Sequence, residues 1–242
     1  QGRFEAFLPE HKSVGNVVDS PKDLPVNAVS WFHAVAYCQF LSCKLNNPDT
    51  VYPQTEDGDS KNPFGRYMRM EPRSQIIRAR GYRLPTEVEW EMAARGGITT
   101  PFPCGRFDED LKRHAFTSRN SGGRLHKVAE LMPNPWGLFD ACGNAAEWTM
   151  TELLPYEGTT EPEIKNGIEL EKPKPYLNFP TEITLSTFMV IRGGSMANNS
   201  LQARFSSRLA VKPDTRAASI GFRICRTISD AEAASMQLFS KP

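Results

Sequence analysis

The chain has 242 residues, of which 39% are hydrophobic and 24% are charged, and its formal net charge at pH 7 is +1. This length is sufficient for one substantial hydrophobic core, so we predict a single domain over residues 1–242. The near-neutral charge excludes the basic footprint of a dedicated nucleic-acid-binding protein, and no apolar run approaches the roughly 20 residues that span a bilayer. We therefore expect proteins, peptides or small ligands as partners.

The five cysteines are odd in number and show no Cys-x-x-Cys spacing. Neither a zinc site nor a full disulfide framework is predicted from this pattern. Cys38, Cys142 and Cys225 stand among apolar or small neighbours, where a free thiol behaves as a small hydrophobic group. Cys43 and Cys104 are the candidates for exposure, and one bridge is left open.

The first predicted helix runs from about Trp31 to Leu45, where apolar residues recur at helical spacing after Ser30, a favourable N-cap residue. His33 lies in its first turn, away from the apolar face, and is expected to be solvated. Residues 46–80 are rich in proline and charge and are expected to form a long surface excursion.

The second predicted helix begins with a capping box formed by Thr86 and Glu89. It ends near Arg95, and the glycines at 96–97 supply its stop. Residues 99–135 carry several turn signals and few apolar periodicities, so we expect mostly irregular structure with short strands there.

A second polar, proline-rich excursion is predicted at 155–184, followed by an apolar strand at 188–191. A further half-buried strand is indicated by alternating apolar residues, namely Ile220, Phe222 and Ile224. The two strands bracket an irregular connection of about two dozen residues, a length at which connections are usually functional. This connection is the first place to look for a binding site, and a short helix is expected in the tail at 227–242.

Four motifs stand in order along the chain. They are Pro25-Val26-Asn27-Ala28-Val29-Ser30-Trp31, Tyr82-Arg83-Leu84-Pro85-Thr86-Glu87-Val88-Glu89-Trp90-Glu91, Gly143-Asn144 with Glu147-Trp148, and Arg192-Gly193-Gly194-Ser195 with Gly221-Phe222-Arg223. Together they resemble the formylglycine-generating enzyme family, also called the sulfatase-modifying-factor domain. The resemblance implies an α+β variant of the C-type lectin fold with little regular secondary structure. The usual N-terminal strands of the family are not found, so we expect a truncated or processed version.

The resemblance also implies an oxidase site in which two cysteines bind copper(I) as thiolates, the soft ligands that this ion prefers. Aligning the Arg-Gly-Gly-Ser motif without gaps places Asn198 and Ala203 at those positions, and no cysteine occurs between Cys142 and Cys225. An amide cannot replace a thiolate on copper(I), and alanine supplies no ligand. We therefore expect no copper, no catalytic residues and a pseudoenzyme.

A calcium site is implied by the same resemblance. The Asp140 and Glu147 side chains and the Gly143 and Ala145 carbonyl oxygens match the family pattern position by position and are the hard ligands that calcium takes. The alternative is that the two carboxylates cap this turn and pair with arginines such as Arg192. An iron held by three histidines, as in a related branch, is not expected because the four histidines are scattered.

The resemblance places the connection between the two last strands in the groove that accepts the substrate peptide. The residues expected to face a ligand are Met196, Asn198, Asn199, Gln202, Arg204, Ser206 and Arg208. The residues expected to point inward are Ala203, Leu209 and Val211.

The leading hypothesis is a non-catalytic binding or assembly module, a subunit that holds a protein, peptide or small ligand. The alternatives are an oxidoreductase of the same family with an altered active site and a lectin-like variable ligand-display protein. Family resemblance favours an exported location, periplasmic or extracellular. The chain begins at Gln1 rather than Met, which leaves an upstream leader, anchor or domain open.

Overall fold

The structure is a computed structural model that describes residues 2–8, 11, 23–44, 67–69, 79–153, 164–165, 168–169 and 182–239. Most of the two predicted excursions, 46–80 and 155–184, therefore lies outside the described residues. None of the described helices is long and apolar enough to cross a bilayer.

Helices occupy a small part of the described chain. They are α1 (Gly2–Glu5), α2 (Trp31–Lys44), α3 (Glu87–Arg95) and α4 (Asp230–Phe239), with short 3-10 helices at Leu111–Arg113 and Ser200–Ala203. Helix α2 confirms the first predicted helix and ends one residue earlier than expected. Helix α4 confirms the helix predicted in the tail.

The strands are short and form one central sheet and three pairs. They are β1 (Tyr67–Arg69), β2 (Tyr82–Arg83), β3 (Ala146–Glu152), β4 (Ile164–Lys165), β5 (Ile168–Glu169), β6 (Glu182–Thr184), β7 (Met189–Arg192), β8 (Arg208–Val211), β9 (Ile220–Phe222) and β10 (Cys225–Arg226). The central sheet has the order β8, β7, β3, β9, with β3 antiparallel to β7 and parallel to β9. The pairs β1–β6, β2–β10 and β4–β5 are antiparallel.

The sheet corrects three sequence predictions. The connection after β7 is not wholly irregular, because it contains β8, which pairs antiparallel to β7. The last predicted strand ends at Phe222, and Ile224 lies outside it. No strand forms in the fully described range 99–135, which holds only a 3-10 turn and isolated bridges, because its turns leave too few residues in register.

Helix α3 forms as its local sequence predicts. The Thr86 hydroxyl accepts a hydrogen bond from the Glu89 N–H (3.1 Å), and the Glu89 carboxylate accepts one from the Thr86 N–H (2.9 Å). Gly96 ends the helix in the left-handed conformation, with φ of 53°. The capping box and the glycine stop are therefore both confirmed.

Two buried clusters form the core. The larger lies between α2 and the central sheet, where the Trp31 indole donates to the Thr149 carbonyl (2.8 Å) and the Trp148 indole donates to the Val29 carbonyl (2.9 Å). The smaller lies between α3 and the connection after β7 and contains Trp90. Tryptophan can be fully buried here because each indole N–H has an acceptor.

His33 is buried, so the expectation of a solvated side chain is wrong. The Arg216 guanidinium donates to its Nε2 atom (3.1 Å), and its Nδ1 atom contacts the Ser30 hydroxyl. Because a guanidinium only donates, Nε2 accepts and the proton of the neutral ring is assigned to Nδ1. Burial, and then the charge of Arg216, lowers the pKa of His33 from 6.5 to about 4.

Acidification will destabilise the protein through His33. Between pH 6.5 and about 4 the unfolded chain protonates this residue and the folded chain does not, so the free energy of unfolding should fall by about 1–2 kcal/mol as pH drops through this window. Urea denaturation at several pH values measures it, and His33→Asn should flatten the dependence in that window. An unchanged pH dependence in the variant would contradict the assignment.

The turn that leads into β3 approaches another chain segment closely at Gly143. Its φ is 73°, and a Cβ added there would collide with the Phe116 backbone carbonyl. Gly137 has a similar φ of 77° but open space around it. Substitutions at these two glycines therefore distinguish the energetic cost of backbone strain from the cost of steric contact.

Gly143→Ala should destabilise the fold much more than Gly137→Ala. The Gly137 variant bears only the cost of a left-handed alanine, about 1 kcal/mol, whereas the Gly143 variant must also displace backbone and should cost at least about 3 kcal/mol. Urea denaturation of both variants measures the difference. Equal losses would show that the approach of Gly143 to Phe116 is not tight.

Candidate functional site

The connection between β7 and β9 rests on one buried guanidinium. The Arg192 side chain is fully buried and donates to the carbonyl oxygens of residues 205–207 at 2.8–3.2 Å. It also forms ion pairs with Glu87 (3.1 Å) and Glu91 on helix α3. Because a buried charge needs both a counter-ion and hydrogen bonds, this arrangement fixes the path of the connection over the helix.

The start of the connection is held by its own polar side chains. The Ser195 hydroxyl and backbone N–H both donate to the Asn198 side-chain oxygen, at 2.8 and 2.9 Å. The Asn199 side chain caps the 3-10 helix by accepting from the Gln202 N–H (3.2 Å), and the Gln202 side chain accepts in return from the Asn199 N–H. The side-chain amides of Asn198, Asn199 and Gln202 therefore form much of their hydrogen bonding within this stretch.

The structure brings four of the seven predicted ligand-facing residues fully to the surface. They are Asn199, Gln202, Arg204 and Ser206. Asn198 is partly buried. Met196 packs inside, and the guanidinium of Arg208 is paired with the carboxylate of Glu87. Met196 and Arg208 are therefore occupied by packing and by an ion pair rather than presented to solvent.

Two apolar side chains depart from the expected pattern. Leu209 was expected to point inward but is 55% exposed, because β8 is the edge strand of the sheet. Leu201, which the sequence did not single out, is 60% exposed. Its neighbours Ser200 and Ala203 face inward and so turn Leu201 to solvent. An apolar side chain indicates burial when only the sequence is known, so the exposure of these two leucines could not be predicted.

No thiol group lies at the two positions where the resemblance expects the copper ligands. Ala203 is fully buried beside Trp90 and Phe205, and Asn198 is held by the contacts to Ser195. All five cysteines are free, so the bridge left open by the sequence does not form. Burial raises the pKa of Cys142 to about 12. Within the described part of the chain, no group of three His, Cys, Asp or Glu side chains is arranged to hold a metal.

The turn expected to bind calcium contains an ion pair. Glu147 accepts hydrogen bonds from the Trp90 indole (2.6 Å) and from two nitrogens of Arg223, one of them at 2.7 Å. The partner of this carboxylate is thus Arg223, not Arg192. Asp140 accepts a hydrogen bond from the Ala129 N–H (2.8 Å), and burial, with a smaller contribution from the charge of Glu147, raises the pKa of Asp140.

The donor set does not fit a calcium ion as it stands. A carboxylate offers about four lone-pair positions, and three of those of Glu147 are taken by Arg223 and Trp90. Asp140 and the Gly143 and Ala145 carbonyls are the oxygen ligands that remain, and water would have to supply the rest of the six to eight that calcium takes. Calcium would require Arg223 to release Glu147.

Comparisons with known proteins identify the family of the chain. Residues 4–228 match the family described as Sulfatase-modifying factor enzyme 1-like domain. The chain belongs to this family. It is 38% identical over 93 residues to the formylglycine-generating enzyme of Mycobacterium tuberculosis, covering 34% of this chain and 31% of that protein. It is 24% identical over 234 residues to the "Inactive C-alpha-formylglycine-generating enzyme 2" of Mus musculus, covering 90% and 54%.

Among solved structures, the fold is similar to that of Treponema denticola variable protein 1. The TM-score is 0.69 at 27% sequence identity, over 93% of this chain and 80% of that one. This similarity confirms the α+β fold class implied by the resemblance. The chain spans only 31% and 54% of the lengths of the mycobacterial and murine relatives.

Calcium should have little effect on stability. Because Arg223 already compensates Glu147, calcium at about 5 mM should change the thermal midpoint by less than about 1 °C. Differential scanning fluorimetry with calcium, magnesium and EDTA measures this. A saturable rise specific to calcium that disappears in Asp140→Ala would instead support the calcium site.

Proposed function

We propose that this chain is a non-catalytic binding domain of the sulfatase-modifying factor family, which presents side chains of residues 195–216 to a protein or peptide partner. One observation carries the proposal. The backbone of this segment is held mainly by Arg192 and by groups outside the segment, while Asn199, Gln202 and Arg204 add contacts within it, so exposed side chains such as those of Leu201 and Ser206 contribute little to the fold. An exported location belongs to the same proposal and rests on the family resemblance.

The anchors come from several parts of the chain. Backbone groups of residues 196, 198 and 205 are bound by the Asn144 carbonyl (2.7 Å), the Ser121 hydroxyl (2.8 Å), the Ser118 N–H (2.9 Å) and the Pro101 carbonyl (3.1 Å). Arg192 adds the contacts to residues 205–207. A rigid backbone with exposed side chains is how binding residues are usually presented on a scaffold.

A variable ligand-display protein is a more specific form of the same proposal. The similar Treponema denticola structure carries the words "variable protein" in its name. In this chain the exposed positions hold unlike groups, among them Asn199, Leu201, Arg204 and Ser206. A rigid surface whose exposed side chains differ in kind is suited to changing its ligand.

An oxidoreductase with an altered active site is less well supported. The positions of the copper-binding thiols hold Asn198 and Ala203, and the latter is fully buried. The murine relative is itself described as inactive. Incubation with copper(I), oxygen and a cysteine-containing sulfatase peptide should yield no aldehyde by mass spectrometry; aldehyde formation would overturn the non-catalytic proposal.

Substitutions on the exposed face should leave stability nearly unchanged. The double variant Leu201→Ser with Arg204→Ala should change the free energy of unfolding by less than about 0.5 kcal/mol per site, as at ordinary surface positions. Ala203→Leu, between them but fully buried, should cost about 1–3 kcal/mol through overpacking. Urea denaturation compares them, and similar losses in both variants would show that the exposed residues support the fold.

The same face should determine what the domain binds. A photo-crosslinking residue at Leu201 should capture a partner that the same residue at Ile228, also exposed, does not capture. Arg204→Glu should then reduce the yield at Leu201. Equal capture from both positions, or a yield unaffected by Arg204→Glu, would contradict the assignment of the surface.

A further inference from the structure

Strand β8 is an open edge of the central sheet. It pairs with β7 along its length without a register shift, and within the described ranges no strand lies on its other side. Its sequence, Arg208-Leu209-Ala210-Val211, contains no proline. An edge of this kind presents unpaired backbone N–H and C=O groups, which natural proteins usually protect with proline or a bulge. Strand β8 therefore has the features of a strand that can accept another strand.

The backbone groups of Ala210 face outward at this edge. Alternate residues of a strand direct their N–H and C=O groups to opposite neighbours. The Val190 carbonyl accepts a hydrogen bond from the Thr149 hydroxyl of β3 (2.8 Å), so the backbone groups of the next residue, Ile191, face β8 and its partner Leu209. Those of Ala210 then point away from β7, and no hydrogen bond from another described segment reaches them. Ala210 thus offers one donor and one acceptor.

Side chains along the edge alternate between an apolar and a basic face. Leu209 and Val211 share one face, on which Val211 packs against the larger core cluster and Leu209 is 55% exposed. Ala210 lies on the other face with Lys212 and with Arg208, whose guanidinium is paired with a carboxylate of helix α3. A strand added beside β8 would therefore meet an exposed apolar side chain on one face and cations on the other.

The charge around the edge is positive. The cations of the segment 195–216 are Arg204, Arg208, Lys212 and Arg216, and its only carboxylate is Asp214. Two carboxylates of α3, Glu87 and Glu91, face this region, and they are shared among three arginines, which leaves one positive charge in excess. Lys212 is exposed and pairs with no carboxylate among the described residues.

This charge favours an acidic partner over a second copy of the chain. If two copies paired through β8 in antiparallel orientation about Ala210, Arg208 of one copy would lie beside Lys212 of the other. Like charges placed opposite each other on neighbouring strands are destabilising, whereas opposite charges are stabilising.

We propose that β8 accepts an extended acidic peptide as a fifth strand of the central sheet. The peptide residue opposite Ala210 exchanges two main-chain hydrogen bonds with it, and the residues on either side place apolar side chains beside Leu209. The next positions outward place carboxylates beside Arg208 and Lys212. In strand addition, main-chain hydrogen bonds supply affinity and alternate side chains supply specificity. The inference rests on the function proposed above, because β8 lies within the segment 195–216.

Two peptides of opposite charge test the class of partner. Acetyl-Glu-Val-Thr-Val-Glu-amide places its threonine opposite Ala210, and acetyl-Lys-Val-Thr-Val-Lys-amide differs only in charge. Titration of isotope-labelled protein followed by NMR should show the acidic peptide binding at least about tenfold more tightly, with shifts of the Ala210 and Lys212 amide signals. Equal affinities, tighter binding of the basic peptide, or no binding of either up to about 5 mM would overturn the proposal.

Methylation of single peptide amides tests the strand geometry. N-methylation of the threonine removes the donor to the Ala210 carbonyl and should weaken binding at least about tenfold. N-methylation of the second valine alters an amide that faces away from β8, so the affinity should change less than about threefold. Equal losses from the two modifications would contradict strand addition.

Two substitutions at one position test the same geometry from the side of the protein. Ala210→Pro removes the outward N–H and leaves the hydrogen bonds to β7, since proline is tolerated on an edge strand when its nitrogen faces solvent. It should abolish binding of the acidic peptide. Ala210→Val keeps the N–H and should bind the peptide as the unmodified protein does. Undiminished binding by a folded Ala210→Pro variant, checked by circular dichroism, overturns the proposal.

A second pair of variants tests the charge and does not depend on the folding of Ala210→Pro. Lys212→Glu should lower the affinity for the acidic peptide at least about tenfold. Lys112→Glu, at an exposed position in the 3-10 helix Leu111–Arg113, should leave it unchanged. Equal effects of the two substitutions would overturn the proposal.

Crosslinking at Leu201 separates this inference from the proposed function. Crosslinking that depends on Arg204, without binding of either peptide, would overturn strand addition and leave the wider surface standing. Peptide binding that Ala210→Pro abolishes, without crosslinking that depends on Arg204, would overturn only the wider surface. Concentration-dependent dimerisation in sedimentation experiments that Ala210→Pro abolishes would assign the edge to a second copy of the chain and overturn the proposal.

Discussion

The guanidinium of Arg192 is the interaction on which the rest of the structure depends. It lies at the end of a central strand, pairs with two carboxylates of helix α3 and binds three successive carbonyl oxygens of the connection beyond that strand. One buried charge thus contacts helix α3, the central sheet and the connection beyond β7. Removing it would leave three carbonyl groups without their donor and would take one of two cationic partners from Glu87 and from Glu91, which also pair with Arg208 and Arg95. Buried polar groups are costly when unpaired.

The parts of the fold that could be predicted from sequence are those set by local chemistry. The capping box at Thr86 and Glu89 and the glycine at 96 needed only neighbouring residues, and helix α3 formed as expected. Strand β8 depends on pairing with β7, which no local pattern reveals, and its edge position is why Leu209 faces solvent. Long-range strand pairing, rather than local propensity, therefore determines where β8 forms and which of its side chains are exposed.

The same distinction holds at the candidate sites. The spacing of Asp140 and Glu147 was visible in the sequence, but their environments were not. Glu147 forms an ion pair with Arg223, which lies 76 positions further along the chain, while Asp140 accepts a backbone hydrogen bond from Ala129. Burial raises the pKa of Asp140. Two carboxylates that look equivalent in sequence therefore have different environments, since one is paired with a guanidinium and the other is held by a backbone hydrogen bond.

The first long helix is tied to the end of the domain. Backbone N–H groups of Ala28 and Trp31 donate to the carbonyls of Ala217 and Pro213, and strand β9 completes the sheet beside β3. Contacts of such large sequence separation close slowly, and a chain leaves the ribosome at about 5–20 residues per second. During synthesis the N-terminal half must therefore wait for residues 213–222 before its core can close. Most of the exposed segment 195–216 lies just ahead of them in the chain, so the core can close only after the surface proposed for binding has been synthesised.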